Sequence, residues 1–134
     1  MDDDQIKRIL TGMQRAAVVG ISPKSDRPSH GIARWLLGRG VEVVGVNPAH
    51  REILGAPVYH ELEAVPGPVD VVIIFRRSDQ VEPVVAAAVA RADRAIWMQE
   101  DVRNETAAVM ARAAGIPVVM DRCIYKEWLR LMNG

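Results

Sequence analysis

"AAVVGISPKSDRPSHG", residues 16–31, decides the fold. Four apolar residues, Ala16 to Val19, run into Gly20 and Ile21. A polar loop follows, with Ser22, Pro23, Lys24, Ser25, Arg27, Pro28 and Ser29. From Gly31 onward Ile32, Ala33, Trp35, Leu36 and Leu37 recur at helical spacing. A strand, a glycine, a polar loop and a helix form the opening unit of a parallel α/β sheet, and many folds hold a phosphate at that junction.

Working outward, four more apolar runs appear: Val41 to Val46, Val69 to Phe75, Ala95 to Met98 and Pro117 to Met120. With Ala16 to Ile21 they are continuous rather than alternating, and rich in Val and Ile. That is the pattern of strands covered on both faces. Helical segments lie around and between them. Asp3 to Met13 opens the series, and Gly31 to Gly38 has Gly38 and Gly40 as stop signals. In Asp79 to Ala92, Val81, Val84, Val85, Ala88 and Val89 share one face, with Pro83 near the first turn. Asn104 to Ala114 ends at Gly115, and Tyr125 to Met132 forms a terminal helix. Asn47 to Pro68, rich in Pro and Gly, is irregular, so any helix there is short. The alternation predicts a Rossmann-like three-layer α/β sandwich. It has a five-stranded parallel sheet, helices on both faces, and a single domain over residues 1–134.

Ligands of such sheets bind outside the carboxyl ends of the strands, where strand order reverses. Those ends are Gly20-Ile21-Ser22, Asn47-Pro48, Phe75-Arg76-Arg77, Gln99-Glu100 and Asp121-Arg122. The loop after Gly20 carries hydroxyls at Ser22, Ser25 and Ser29 and cations at Lys24 and Arg27, the groups that phosphate oxygens accept bonds from. A helix N-terminus adds about half a positive charge, and Pro23 and Pro28 stiffen the loop. Arg76 and Arg77 add charge nearby. The dinucleotide fingerprint is absent, because Ser22 and Ser25 stand where its second and third glycines belong. The second strand ends in Asn47-Pro48, not in the acid that binds an adenosine ribose.

The bulk properties set limits. The 134 residues are 49% hydrophobic, with 17 Lys plus Arg against 17 Asp plus Glu. Zero net charge argues against a broad nucleic-acid surface. No apolar run approaches the ~20 residues of a membrane span, and the acidic start Met1-Asp2-Asp3-Asp4 is unlike a secretory leader, so a cytoplasmic protein is expected. One cysteine, Cys123, permits neither an internal disulfide nor a cysteine metal cluster.

The segments "AVVGISPKSDRPSHGIARWLLGRG", "VVGVNP", "ILGAPVYHELEAVP", "VDVVIIFRRSDQVEPVV", "AIWMQ" and "VVMDRCIYKE" resemble the small stand-alone CoA-binding domain proteins. These are similar to the N-terminal domain of the succinyl-CoA synthetase α subunit. The resemblance runs from about Ala16 to Glu127. It implies coenzyme A or an acyl-CoA as ligand, with the diphosphate wrapped by Gly20, Ser22, Pro23, Lys24, Ser25 and Arg27. It further implies that Asn47 and Pro48 contact the nucleotide end, and that Phe75 and Arg76 lie along the pantetheine or adenine side. The second domain of the synthetases, which brings a phosphorylated histidine, has no counterpart here, so the expected role is binding without catalysis. The thioester would be sensed, carried or donated to a partner enzyme. One departure is that the family's glycine after the fourth strand falls roughly at Asp101, next to Glu100. Two carboxylates there would repel a phosphate.

Two other readings stand beside this one: an NAD(P)-dependent oxidoreductase, and a degenerate nucleotide fold acting as a protein-interaction module. His30, His50 and His60 lack metal-ligand spacing. No Ser-His-Asp arrangement is recognisable, and neighbouring Glu100 and Asp101 point apart if they end a strand. Cys123, beside Arg122, is either a packed thiol or a partner for the CoA thiol in a mixed disulfide. Trp35, Trp97 and Trp128 read as packing residues, with Trp128 an anchor for a homodimer contact as the other option.

Overall fold

The computed structural model describes residues 1–132. The elements in chain order are α1 (Asp3–Thr11), β1 (Arg15–Val19), α2 (Pro28–Gly38), β2 (Glu42–Val46), β3 (Glu52–Ile53), β4 (Ala56–Tyr59), β5 (Val71–Ile74), α3 (Val81–Arg91), β6 (Ile96–Met98), α4 (Glu105–Ala113), β7 (Val118–Val119) and α5 (Ile124–Met132). Single turns of tighter helix at Leu62–Ala64 and Ser78–Gln80 lead into β5 and α3.

The strands form one sheet in the order β3-β4-β2-β1-β5-β6-β7. All neighbours run parallel except β3 and β4. The continuous apolar runs have a simple cause: both parities of β1, β2, β5, β6 and β7 are buried. Ala17 and Val19 of β1, with Val72 and Ile74 of β5, face a core closed by Val85 and Ala88 of α3 and Ala108 and Ala111 of α4. Ala16, Val18, Val71 and Ile73 face the opposite core, closed by Ile6 and Leu10 of α1, Ala33 and Leu36 of α2, and Ile124 of α5. Arg130 ties α5 to α1 through Asp3 at 2.9 Å.

The five expected strands are present, and two more extend the sheet on one side, beyond β2. Both come from the Pro- and Gly-rich stretch read as irregular. Ala56–Tyr59 has alternating burial and carries Pro57, which hides a strand in the sequence. β3 has only two residues. The strands are also shorter than the apolar runs. Gly20 and Ile21 leave the sheet because Gly20 turns to φ +90°. Asn104, read as helical, lies just outside α4 and caps it, its Oδ1 accepting from the Ala107 N–H at 2.9 Å. In contrast α2 starts earlier than expected, at Pro28, which is suited to a first helical turn.

Gly45 of β2 decides how closely the loop after β1 returns. A Cβ there would stand 2.7 Å from Ile21 Cγ2 and 2.9 Å from Val58 Cγ2. Gly45→Ala is expected to cost about 1–3 kcal/mol, as overpacking does, and to lower the melting temperature by several degrees. Thermal and urea unfolding check this; an unchanged midpoint would show that Ile21 and Val58 have room to move.

Candidate functional site

The loop between β1 and α2 is built by the residues at its ends. Gly20 donates its N–H to the Val46 carbonyl at 2.9 Å, continuing the β1–β2 ladder by one step. Its positive φ then swings the chain over the sheet edge, with the space for its missing Cβ only 3.2 Å from the Phe75 carbonyl oxygen. Asn47 pins the next residue: its Nδ2 donates to the Ile21 carbonyl at 2.8 Å, and its Oδ1 accepts from the Ala49 N–H at 2.8 Å. Ser22 Oγ accepts from the Lys24 N–H at 3.1 Å, and the Arg27 N–H donates to the Lys24 carbonyl at 3.1 Å, closing two successive turns. Helix α2 then begins with no side-chain cap on Arg27, so its first turn points toward the loop without an internal anion. Among the described residues neither Lys24 nor Arg27 forms an ion pair, whereas Arg77 is paired to Asp79 at 2.7 Å.

Two adjoining clefts open at this edge. The first, of about 470 Å³, lies on the loop and is lined by Gly20, Ser22, Pro23, Lys24, Arg27, Pro28, Ser29, Asn47, His50 and Phe75. The second, of about 600 Å³, lies between α2 and the ends of β6 and β7. Pro28 and Phe75 line both and so form the threshold between them. Each volume falls in the range of small-molecule sites, about 300–1,000 Å³.

The structure thus gathers seven of the ten residues singled out from sequence around one cleft: Gly20, Ser22, Pro23, Lys24, Arg27, Asn47 and Phe75. The other three stand apart. Ser25 lies within the Lys24–Arg27 turn and lines neither cleft. Pro48 lines a second depression with Arg51, Tyr59 and His60, which meets the loop cleft only at His50. Arg76 lines another, with Glu61, Pro83 and Val84 beside α3. Residues on consecutive positions past a strand end diverge, which is why Phe75 and Arg76 separate. Asn47 has its side-chain amide engaged in shaping the loop.

The fourth-strand departure has a local explanation. Asp101 has φ +71°, a left-handed conformation that favours glycine and that Asp tolerates better than most residues. Asp121, itself at φ +60°, accepts from the Asp101 N–H at 2.7 Å and pairs with Arg103 at 3.2 Å. The Asp101 amide first, and Arg103 second, hold the Asp121 carboxyl below the usual carboxylate range. Glu100 is not a free charge: Lys126 Nζ donates to its Oε2 at 3.0 Å, and this bond raises the Lys126 ammonium above its ordinary range. The expected repulsion is therefore reduced by a partner on α5 that is distant in sequence. Gln99, buried, accepts from the Ile124 N–H at 2.8 Å and so caps α5. Trp97 is buried and donates to the Arg122 carbonyl at 2.7 Å. Trp128 packs inside the chain, 5.9 Å from Trp35, under the Arg39 guanidinium at 3.8 Å.

Sequence reasoning missed the second cleft as a unit. Ile32, Trp35, Val102, Tyr125 and Lys126 line it from three elements. The available signal was topological: a helix that follows the last strand starts at the carboxyl edge. The histidines remain apart, with His50 at the loop cleft and His60 3.4 Å from Glu61. His30 Nδ1 is buried with no hydrogen-bond partner. Among the described residues no three His, Cys, Asp or Glu side chains cluster as for a metal.

A profile of the family described as "CoA binding domain" matches residues 14–128. An uncharacterised protein of Bacillus subtilis, YneT, is 40% identical over 121 residues, covering 90% of this chain and 89% of that one. A hypothetical protein from Pyrococcus horikoshii OT3 superposes with a TM-score of 0.94 at 32% identity, covering 98% of this chain and 93% of that one. A dinucleotide-forming acetyl-coenzyme A synthetase from Ca. Korarchaeum cryptofilum, in complex with phosphate and ADP, gives a TM-score of 0.68 at 26% identity. There the match covers 78% of this chain and 25% of that one.

The left-handed turn at Asp101 sets its tolerance. Asp101→Gly should leave stability within about 1 kcal/mol, while Asp101→Val, with a branched Cβ, should cost about 1–2 kcal/mol. Urea unfolding of both variants checks this. Equal losses would mean that the Asp101 side chain, not the backbone, sets the preference.

Proposed function

Since the chain belongs to the CoA-binding domain family, we propose that it binds coenzyme A or an acyl-CoA at the carboxyl edge of the sheet. The observation that carries this is the loop cleft. Two cations without ion-pair partners among the described residues, Lys24 and Arg27, stand with Ser22 and Ser29 beside the N-terminus of an eleven-residue helix that has no side-chain cap. Phosphate oxygens accept bonds from all of these groups. The diphosphate lies on the loop, and the pantetheine arm passes Phe75 and Pro28 toward the larger cleft.

Little favours the oxidoreductase reading. Ser22 and Ser25 keep side chains where a dinucleotide needs glycine, and Asn47 spends its amide on the loop rather than on a ribose. The interaction-module reading would draw on Glu100 and Asp101 as acids that spoil a phosphate pocket, and of these Glu100 is paired with Lys126. The proposed role is binding without a reaction of its own.

Native mass spectrometry of freshly purified protein should show CoA as added mass. In calorimetric titration CoA should bind more tightly than NAD. Lys24→Ala or Arg27→Ala should weaken CoA binding by roughly ten- to a hundredfold, the equivalent of one charged hydrogen bond. Added salt should weaken the wild type more than either variant. Incubation with acetyl-CoA should release no thiol above the buffer rate. Tighter NAD binding, or full CoA affinity in both variants, would overturn the reading.

A further inference from the structure

The larger cleft differs in chemistry from the loop it adjoins. Ile32, Trp35, Phe75, Val102 and Tyr125 form its walls. The Trp35 ring meets Tyr125 edge-on at 5.2 Å and Trp128 at 5.9 Å, so this wall is braced from α5. Four exposed charges line the cleft as well, Arg34 and Lys126 against Glu100 and Asp101, two of each sign. Two of them are already joined, Lys126 to Glu100 at 3.0 Å. The cleft of about 600 Å³ thus combines apolar walls with charges that sum to zero, and Arg34 is its one cation without an ion-pair partner among the described residues. Its polar counterpart, the loop cleft, adjoins it at Pro28 and Phe75, which line both.

We propose that this chamber receives the apolar acyl chain of a CoA thioester, so that the protein selects acyl-CoAs of several carbons over free CoA. The proposal rests on the CoA reading above and names the ligand class for the same site. Polar binding energy is spent at the loop on groups that every CoA ester shares. Discrimination among esters then falls to the apolar cleft, where each methylene removed from water adds affinity.

The test is calorimetric titration with CoA and with acetyl-, butanoyl-, hexanoyl- and octanoyl-CoA. Each methylene that enters the chamber should tighten binding roughly three- to fourfold, and octanoyl-CoA should bind at least about tenfold tighter than acetyl-CoA. Gly31→Leu supplies the control. A Cβ on Gly31 meets nothing within 4 Å, and Gly31 lines the cleft, so the side chain fills space without disturbing the fold. This variant should melt at or above the wild-type temperature and lose the chain-length gain. Cys123 lines the same cleft and is half-buried, so octanoyl-CoA should slow its alkylation by iodoacetamide more than CoA does. A flat series in which CoA still binds overturns the acyl proposal alone. Absence of binding by every member overturns the CoA reading and this proposal with it.

Discussion

The close return of the chain at Gly20 is the constraint on which the rest of the carboxyl edge depends. Gly20 is the last residue to hydrogen-bond with β2 and the first to leave the sheet. A side chain there would press on the Phe75 backbone while forcing a left-handed φ on a residue with a Cβ. The next residue, Ile21, is fully buried and fits only because Gly45 has no side chain. Asn47 then holds the Ile21 carbonyl. Three residues at the carboxyl ends of β1 and β2 thus decide where Ser22, Lys24 and Arg27 stand. None of the three needs to touch a ligand to matter for binding.

From this arrangement follows a division of labour along the edge. Backbone turns, a helix N-terminus and the cations Lys24 and Arg27 gather at the end of β1. Apolar walls gather at the ends of β6 and β7, where α5 starts and leans on α2 through Trp35, Tyr125 and Trp128. Phe75, at the end of the strand between them, belongs to both regions. A ligand charged at one end and apolar at the other matches this polarity. The helix dipole and the cations act only within the first turn and within a Debye length, so the apolar end gains little from them.

Much of this was legible in the sequence, for identifiable reasons. Strands buried on both faces leave continuous runs of Val and Ile, so β1, β2, β5, β6, β7 and the layer order could be read directly. The loop was legible because glycine, prolines, hydroxyls and cations stand together within a few residues. β3 and β4 were not, because a two-residue strand and a strand carrying Pro57 leave no run to see. The pairing of Glu100 with Lys126 was also hidden, since it spans 26 residues and depends on where α5 begins. The parting of Phe75 from Arg76 is a matter of side-chain direction at a strand end. A linear motif that places both on one ligand does not contain that direction. Asp101 is the reverse case: the departure from a family glycine was visible, and the positive φ supplies its reason.

The most direct test of the central claim is a crystal structure with CoA bound. The account predicts the diphosphate over residues 22–29, within hydrogen-bond distance of Ser22 or the N-terminal turn of α2 and of at least one of Lys24 and Arg27. It also predicts the sulfur past Phe75, in the cleft that Trp35 and Tyr125 line. A diphosphate seated elsewhere on the sheet edge, with the loop left empty, would contradict it.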